Sequence, residues 1–494
     1  MNLRATIRFI VKCLLSLIAG LLGILLFTAI WFLMPVQIGR ESAYFNIDEK
    51  INIPRFMTIR LEGKLYEEIG IDFIGYLIKY KWHRKETFPW KKSFFSVQKE
   101  LQKKWLEEWD FTDQGISLGA VGDIMWIRTD WERFLTEEVR YSLEQFDFLT
   151  GNLETNIDFN LPSIPRFLPD SMFFNSPQSY LKSFRKLPND QVENVSKRSM
   201  FSVLSFANNH MYDFGETSAV ETSSFLQKEG IGVSGFTAPG AEDTVKIIDI
   251  QGVRIGFVAV TYGYNNIHFT PKITKPNLIK GLAPSRFAFA EEEFDFSLLR
   301  KALSQMEDSS VDFKVVSVHW GFENESYPAD LTIWAGREIA KMGADVVLGS
   351  HPHLIQPSEI CMSRGDPLLS KLNSKEDRDS ILQLGCFWDE NSKKKNRSLI
   401  IYSLGNFTSN IWSWEARVGM ISKLKIFKNV DGRIQWAPQE AELIFNEVSW
   451  WENRHRLVKL ETFLRENCNE STADCREISK VKQEIESLQI VEKR

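Results

Sequence analysis

Six short apolar runs, each ending in polar groups, set the rhythm of the middle of this chain. Residues 116–121 run into Gly122-Asp123, and residues 146–149 into Gly151-Asn152-Leu153-Glu154. Residues 201–206 lead to Ala207-Asn208-Asn209-His210, and 314–318 to His319-Trp320-Gly321. Residues 345–348 lead to Gly349-Ser350-His351-Pro352-His353, and 399–404 to Gly405-Asn406-Phe407. Runs of this length and apolar content predict buried strands. Pro352 cannot continue a central strand, so pairing should stop there and leave both imidazoles at a strand's carboxyl end. Between the runs, residues 217–229, 294–306 and 331–342 read as helical. Strands alternating with helices predict a layered α/β domain. Residues 245–250 and 253–260, split by Gln251-Gly252, predict a hairpin, so the sheets should be mixed.

The flanks differ in texture. Arg4, Arg8 and Lys12 precede an uncharged run over 13–34 that Pro35 ends. About 20 apolar residues span a bilayer as a helix, and the basic flank stays in the cytoplasm. The pattern predicts a single-pass anchor over 1–35, with the main domain extracytoplasmic; a cleaved signal peptide is the competing reading. Residues 36–115 mix aromatics and charges and are expected to be helical, notably at 67–80 and 88–109, packed on the main domain or near the membrane. Residues 116–419 form the expected central domain. Beyond it, 421–427 and 433–436 read as a hairpin around Asn429-Val430-Asp431-Gly432, and 450–494 as a charged helical tail. Two stretches, 158–197 and 361–397, read as long excursions from the layered scheme.

Composition narrows the class of partner. A chain of 494 residues has room for two or three domains, and its net charge of −5 carries no basic stripe for nucleic acid. Five cysteines form no CxxC motif; Cys468 and Cys475 are near enough to pair if the region is oxidised, and a structural thiol is the other reading.

The candidate chemistry lies at the strand ends. Asp123, Glu154, Asn209, His210, His319, His351 and His353 supply carboxylate, amide and imidazole donors. That mixture suits Mn, Fe or Zn better than Ca or Mg. Each residue alone has a plain structural reading: Gly122-Asp123 as a turn, Asn152 and Glu154 as helix caps, His319 as a core histidine. The joint pattern points to metal, because four of the seven histidines fall in these motifs. A metal-assisted hydrolase needs open coordination, a carboxylate able to bridge cations and a proton donor for the leaving oxygen.

These motifs, in this order, resemble the capsule-synthesis CapA family of poly-γ-glutamate biosynthesis, a branch of the calcineurin-like metallophosphoesterases. The resemblance covers about 116–410 and includes Met211-Tyr212-Asp213-Phe214-Gly215 and Phe322-Glu323. It implies a four-layer αββα sandwich of two mixed sheets and a centre of one or two divalent ions. In that scheme Asp123 binds the first metal, Glu154 takes the bridging position, and Asn209 and His319 bind the second. His351 and His353 divide between the cations. His210 is the general acid, oriented by Asp213, while Asn152, Asn208, Glu323 and Asn406 face the substrate. Two residues depart from the pattern. Met125 stands where the superfamily's first motif has histidine, and Thr332, four residues after Pro328, stands where the family usually has glutamine.

The implied role is synthesis, export or anchoring of an anionic surface polymer. Activated water would attack a phosphoester or related bond, with membrane subunits of a polymer synthase as partners. Two alternatives stay open: a non-catalytic, polymer-binding accessory subunit with a structural metal, and a metal-dependent amide hydrolase.

Overall fold

The protein is described from a computed structural model covering residues 88–109, 115–163, 166–168, 171–186, 199–237, 244–265, 271–279, 295–388, 396–449, 451–468 and 472–492, with strands Pro35–Glu41 and Asp48–Pro54 and scattered positions of 20–34. Most of the predicted anchor, and all of the predicted helix at 67–80, lie outside the described residues. Among the described residues no helix is long and apolar enough to cross a membrane. Pro35–Glu41 and Asp48–Pro54 pair antiparallel, which corrects the all-helical reading of 36–115. Val36, Ile38, Ile51 and Ile53 alternate with polar residues at the period of two that strands require.

Two mixed sheets form the body of the fold. In chain order the strands are β1 (Ile116–Met125), β2 (Phe148–Glu154), β3 (Val203–Ser205), β4 (Gly232–Ser234), β5 (Lys246–Ile250), β6 (Val253–Thr261), β7 (Phe313–His319) and β8 (Val346–Ser350). They continue as β9 (Ser358–Met362), β10 (Cys386–Phe387), β11 (Ser398–Ile401), β12 (Asn406–Thr408), β13 (Val418–Lys428), β14 (Ile434–Pro438), β15 (Glu442–Ser449) and β16 (Arg454–Lys459). One sheet runs β16-β15-β13-β1-β2-β3-β4, with β12 beside β1 and β14 beside β13. The other runs β5-β6-β7-β8-β11-β9-β10. In the first sheet β1 to β4 are parallel and β13 is antiparallel to β1. In the second, β6, β7, β8 and β11 are parallel, and the β5–β6 hairpin is antiparallel as expected.

Strand alternation feeds two cores. Leu118, Ala120, Phe148 and Val203 join the large apolar cluster that takes in the second sheet. Val121, Leu149 and Leu204, one position away, join the cluster on the opposite face, with Val139 and Leu143 of helix Glu137–Glu144 and Leu226 of helix Gly215–Lys228. A shift of one residue would exchange these faces, so burial on both sides fixes the register. Helix Asp330–Lys341 packs on β8, β9 and β11. Helix Pro89–Leu106 starts with proline at its first position and buries Trp90, Phe94, Phe95, Leu101 and Trp105. Each such side chain contributes about 2 kcal/mol by leaving water, so this helix is firmly attached.

Three further expectations are revised. Within 158–197, Phe174, Asn175, Tyr180 and Phe184 are buried, so part of this stretch enters the core rather than wandering over the surface. Within 361–397, the helix Lys375–Leu384 is capped by Ser374, whose side chain accepts the Asp377 N–H, and Cys361 pairs with Cys386 across β9 and β10. The tail is not wholly helical: Arg454–Lys459 is an edge strand against β15, followed by helices Leu460–Asn467 and Ala473–Leu488. Its charged residues fit an edge strand, which such residues protect from further pairing. Cys468 and Cys475 are bonded between those helices.

Candidate metal centre

The motif residues come together where the carboxyl ends of the parallel strands of both sheets meet, the usual place for ligands in such sheets. Register sets them side by side. Asp123 on β1 faces Asn152 on β2 and Asn406 on β12, and His319 on β7 faces Thr261 on β6 and Ser350 on β8. Gly122 permits the close approach of Gly405, since a Cβ there would meet the Gly405 carbonyl oxygen at 1.8 Å. That oxygen instead accepts the Asp123 N–H at 3.0 Å. His351 and His353 have φ of 95° and 59°, in the left-handed region. Such backbone costs about 1–3 kcal/mol per residue and persists where its surroundings hold it. One such hold is Asp123, whose Oδ2 accepts the His351 N–H at 3.1 Å.

Two triads share one carboxylate. Asp123, Glu154 and His319 place donor atoms within 4.8 Å of one another, and so do Glu154, His351 and His353. All five side chains are buried. Asp123 and His319 thus fall in one group, although the family scheme assigns them to different metals. Asn209 Oδ1 lies 2.8 Å from His319 Nε2, beside the first triad. Asp123 Oδ2 is 3.3 Å from His353 Nδ1, linking the two groups. Asn152 Nδ2 donates to Asp123 Oδ1 at 2.8 Å, and Asn406 Oδ1 lies 3.0 Å from His353 Nδ1. Asn208 holds the frame: its Nδ2 donates to Asn152 Oδ1 and the Leu153 carbonyl, while its Oδ1 accepts the His210 N–H.

Burial and the crowding of carboxylates set the electrostatics of the site. Burial, then the charges of Asp123 and Glu323, push the Glu154 carboxyl well above its usual range. Burial holds His319 well below its ordinary pKa and His351 down to about 4, so both imidazoles stay neutral at pH 7. Burial also disfavours charged His353, but the hydrogen bond and charge of Asp123 outweigh it and raise the pKa. Glu323, two residues after the Gly321 turn, acts by charge on Glu154, His351 and His353.

A second unit adjoins the triads. His210 Nδ1 lies 2.8 Å from Asp213 Oδ2, which also accepts the Phe174 N–H at 2.9 Å. The Phe174 ring packs on the His210 imidazole with centroids 4.7 Å apart. Burial raises the Asp213 pKa, and His210 partly offsets it. Met125 turns away from ligand chemistry and packs with Trp126 and Phe174. Thr332 is buried, its Oγ1 close to Gly321 at the turn after His319.

Several neighbours were not singled out from sequence. Tyr262 stacks on His319 with centroids 6.0 Å apart and lies 5.0 Å from the His351 ring. Asn265 contacts both Asn209 and His210. Both follow β6, whose apolar run ends in polar groups like the other six; its reading as half of a hairpin hid that signal.

The donor set fits a divalent cation. Glu154 Oε1 is buried and makes no hydrogen bond, and carboxylate, neutral imidazole and amide oxygen converge around it. An unsatisfied buried acceptor costs about 1–3 kcal/mol, a cost that a cation would remove.

Comparison with known proteins follows the same residues. Residues 117–411 match the family described as bacterial capsule synthesis protein PGA_cap. The chain is 23% identical over 345 residues to the PGA biosynthesis protein CapA of Bacillus subtilis (strain 168), covering 66% of this chain and 72% of that protein. It is 23% identical over 260 residues to the capsule biosynthesis protein CapA of Bacillus anthracis, covering 50% of this chain and 57% of that protein. Among solved structures, a 5'-nucleotidase precursor from Thermus thermophilus is similar at 12% identity and a TM-score of 0.34, covering 76% of this chain and 60% of that one.

Proposed function

The chain belongs to the bacterial capsule synthesis protein family, and from that premise we propose a membrane-anchored, extracytoplasmic hydrolase with a metallophosphatase-type site in an αββα sandwich. Its work is the synthesis, export or anchoring of an anionic surface polymer such as poly-γ-glutamate. The carrying observation is the pair of buried triads that share Glu154. Asp123, Glu154, Asn209 and His319 would hold one divalent ion, and Glu154, His351 and His353 a second. Bound there, such ions supply Lewis acidity toward a phosphoryl oxygen and toward water.

The remaining groups divide the other tasks. His210, with Nδ1 against Asp213, delivers a proton from Nε2 to the leaving oxygen. Asn152 and Asn406 hold Asp123 and His353, Asn208 holds Asn152, and these three with Glu323 face the substrate. The extracytoplasmic placement is supported by the basic flank and apolar run at 1–34, and by the two disulfides, which persist in oxidising compartments.

One observation favours a second reading, an accessory subunit whose metal serves structure. Met125 sits in an apolar cluster at the position where the superfamily carries a histidine. Metal content and turnover of bis(p-nitrophenyl) phosphate by the purified protein separate the two. The hydrolase reading expects bound Mn, Fe or Zn and turnover that His210→Ala abolishes while metal is retained. Metal and polymer binding without turnover of this phosphodiester would support the accessory role instead.

A further inference from the structure

Asn265 occupies a position that neither the motifs nor the family match explains. It follows β6 of the second sheet, whereas Asn209 and His210 follow β3 of the first. Its main-chain N–H donates to the Asn209 carbonyl at 2.7 Å, tying the two loops together. Its Oδ1 accepts from Asn209 Nδ2 at 3.3 Å, and its Nδ2 lies 3.4 Å from His210 Nε2.

The orientation of Asn209 decides whether it is a ligand at all. An amide binds a cation through oxygen, because its NH2 group offers only donors. Which end faces the triad depends on what holds the other end. With Nδ2 held by Asn265, Oδ1 points to His319 Nε2 at 2.8 Å. The same Asn265 amide places its Nδ2 3.4 Å from His210 Nε2, beside the atom assigned to proton transfer.

Resting on the cation reading of the site, we propose that Asn265 is a positioning residue. It fixes the flip of the Asn209 amide so that oxygen faces the cation, and it couples that amide to His210. Partners behind a metal ligand typically change affinity by 10–100-fold when removed.

The test is a double-mutant cycle read as Mn2+ affinity by calorimetry on the purified protein, with melting temperature confirming the fold. Asn265→Ala is expected to weaken binding roughly tenfold or more. A carboxylate has no wrong end, so in an Asn209→Asp background the same Asn265→Ala change should cost less than about threefold, the difference being the coupling that the cycle isolates. If Asn265→Ala does not fold, Asn265→Ser replaces it, since its hydroxyl is too short to reach Asn209 Nδ2. Unchanged affinity in Asn265→Ala, or an equal loss in both backgrounds, overturns the proposal. If the wild type binds neither Mn2+ nor Zn2+, the cation reading fails and takes this inference with it, an outcome visible before any variant is made.

Discussion

Replacing Glu154 by glutamine should reverse its effect on stability according to whether metal is present. In the metal-free protein Glu154 is a liability. It is fully buried, its Oε1 has no hydrogen bond, and burial with Asp123 and Glu323 raises its pKa well above the usual range. Its ionised form sits buried against the like charges of Asp123 and Glu323, so Glu154→Gln, which keeps the shape and cannot ionise, should gain about 1.5 kcal/mol in EDTA. At about 2.1 cal/mol/K of unfolding entropy per residue, the melting temperature of a chain of 494 residues should rise by roughly 1–2 °C. With metal the balance turns. At a cation concentration of about 1,000 times Kd the wild type gains about 4.1 kcal/mol. If losing the shared carboxylate weakens binding about 100-fold, the upper end for a lost supporting partner, the same concentration is only about ten times Kd and the variant gains about 1.4 kcal/mol. Adding the EDTA gain leaves the wild type ahead by roughly 1 kcal/mol, so the two melting curves cross as Mn2+ is raised. Scanning calorimetry in EDTA and across an Mn2+ series reads this directly. A variant less stable in EDTA, or shifted by Mn2+ as much as the wild type, would refute the reasoning.

Gly122→Ala would drive a Cβ into the Gly405 carbonyl oxygen, so denaturant unfolding should show a loss of about 3 kcal/mol, the upper end for overpacking; a loss below about 0.5 kcal/mol would be inconsistent with that contact. His455 is buried, and burial followed by Arg417 pushes its pKa down to about 3, below the unfolded value near 6.5. The unfolded chain therefore binds the extra proton between these values. Stability should be full above pH 6.5 and fall with acid, by about 2 kcal/mol at pH 5, and His455→Gln should flatten that dependence. Cys361 and Cys386 are separated by 25 positions, so replacing both by serine should cost about 3.5 kcal/mol, and unchanged melting would show that the link carries no stability.

The strand ends were legible because a buried strand must be apolar while a ligand must be polar, so the junction stands out in the chain. Asp123, Glu154, His319, His351 and His353 were found in this way, and they converge. Partners that join from elsewhere were not legible. Phe174 reaches His210 from a stretch whose Pro and Asn content suggested surface, yet its backbone and ring both contact the His210–Asp213 pair. Asn265 was hidden because its strand was read only as part of a hairpin. The edge strand Arg454–Lys459 was missed because charges on an edge resemble charges on a solvated helix. For Phe174 and Asn265 the deciding contact lies dozens of residues away in sequence, beyond the reach of local periodicity, whereas the edge strand pairs with the neighbouring Glu442–Ser449.

The central claim is that distant segments form one cation-binding cleft around Glu154. Anomalous diffraction from Mn2+-soaked crystals tests it most directly. The account predicts density within coordination distance of Glu154, toward Asp123 and His319, toward His351 and His353, or both. Strong Mn2+ peaks elsewhere with none beside Glu154, in crystals whose fold matches the one described, would contradict it.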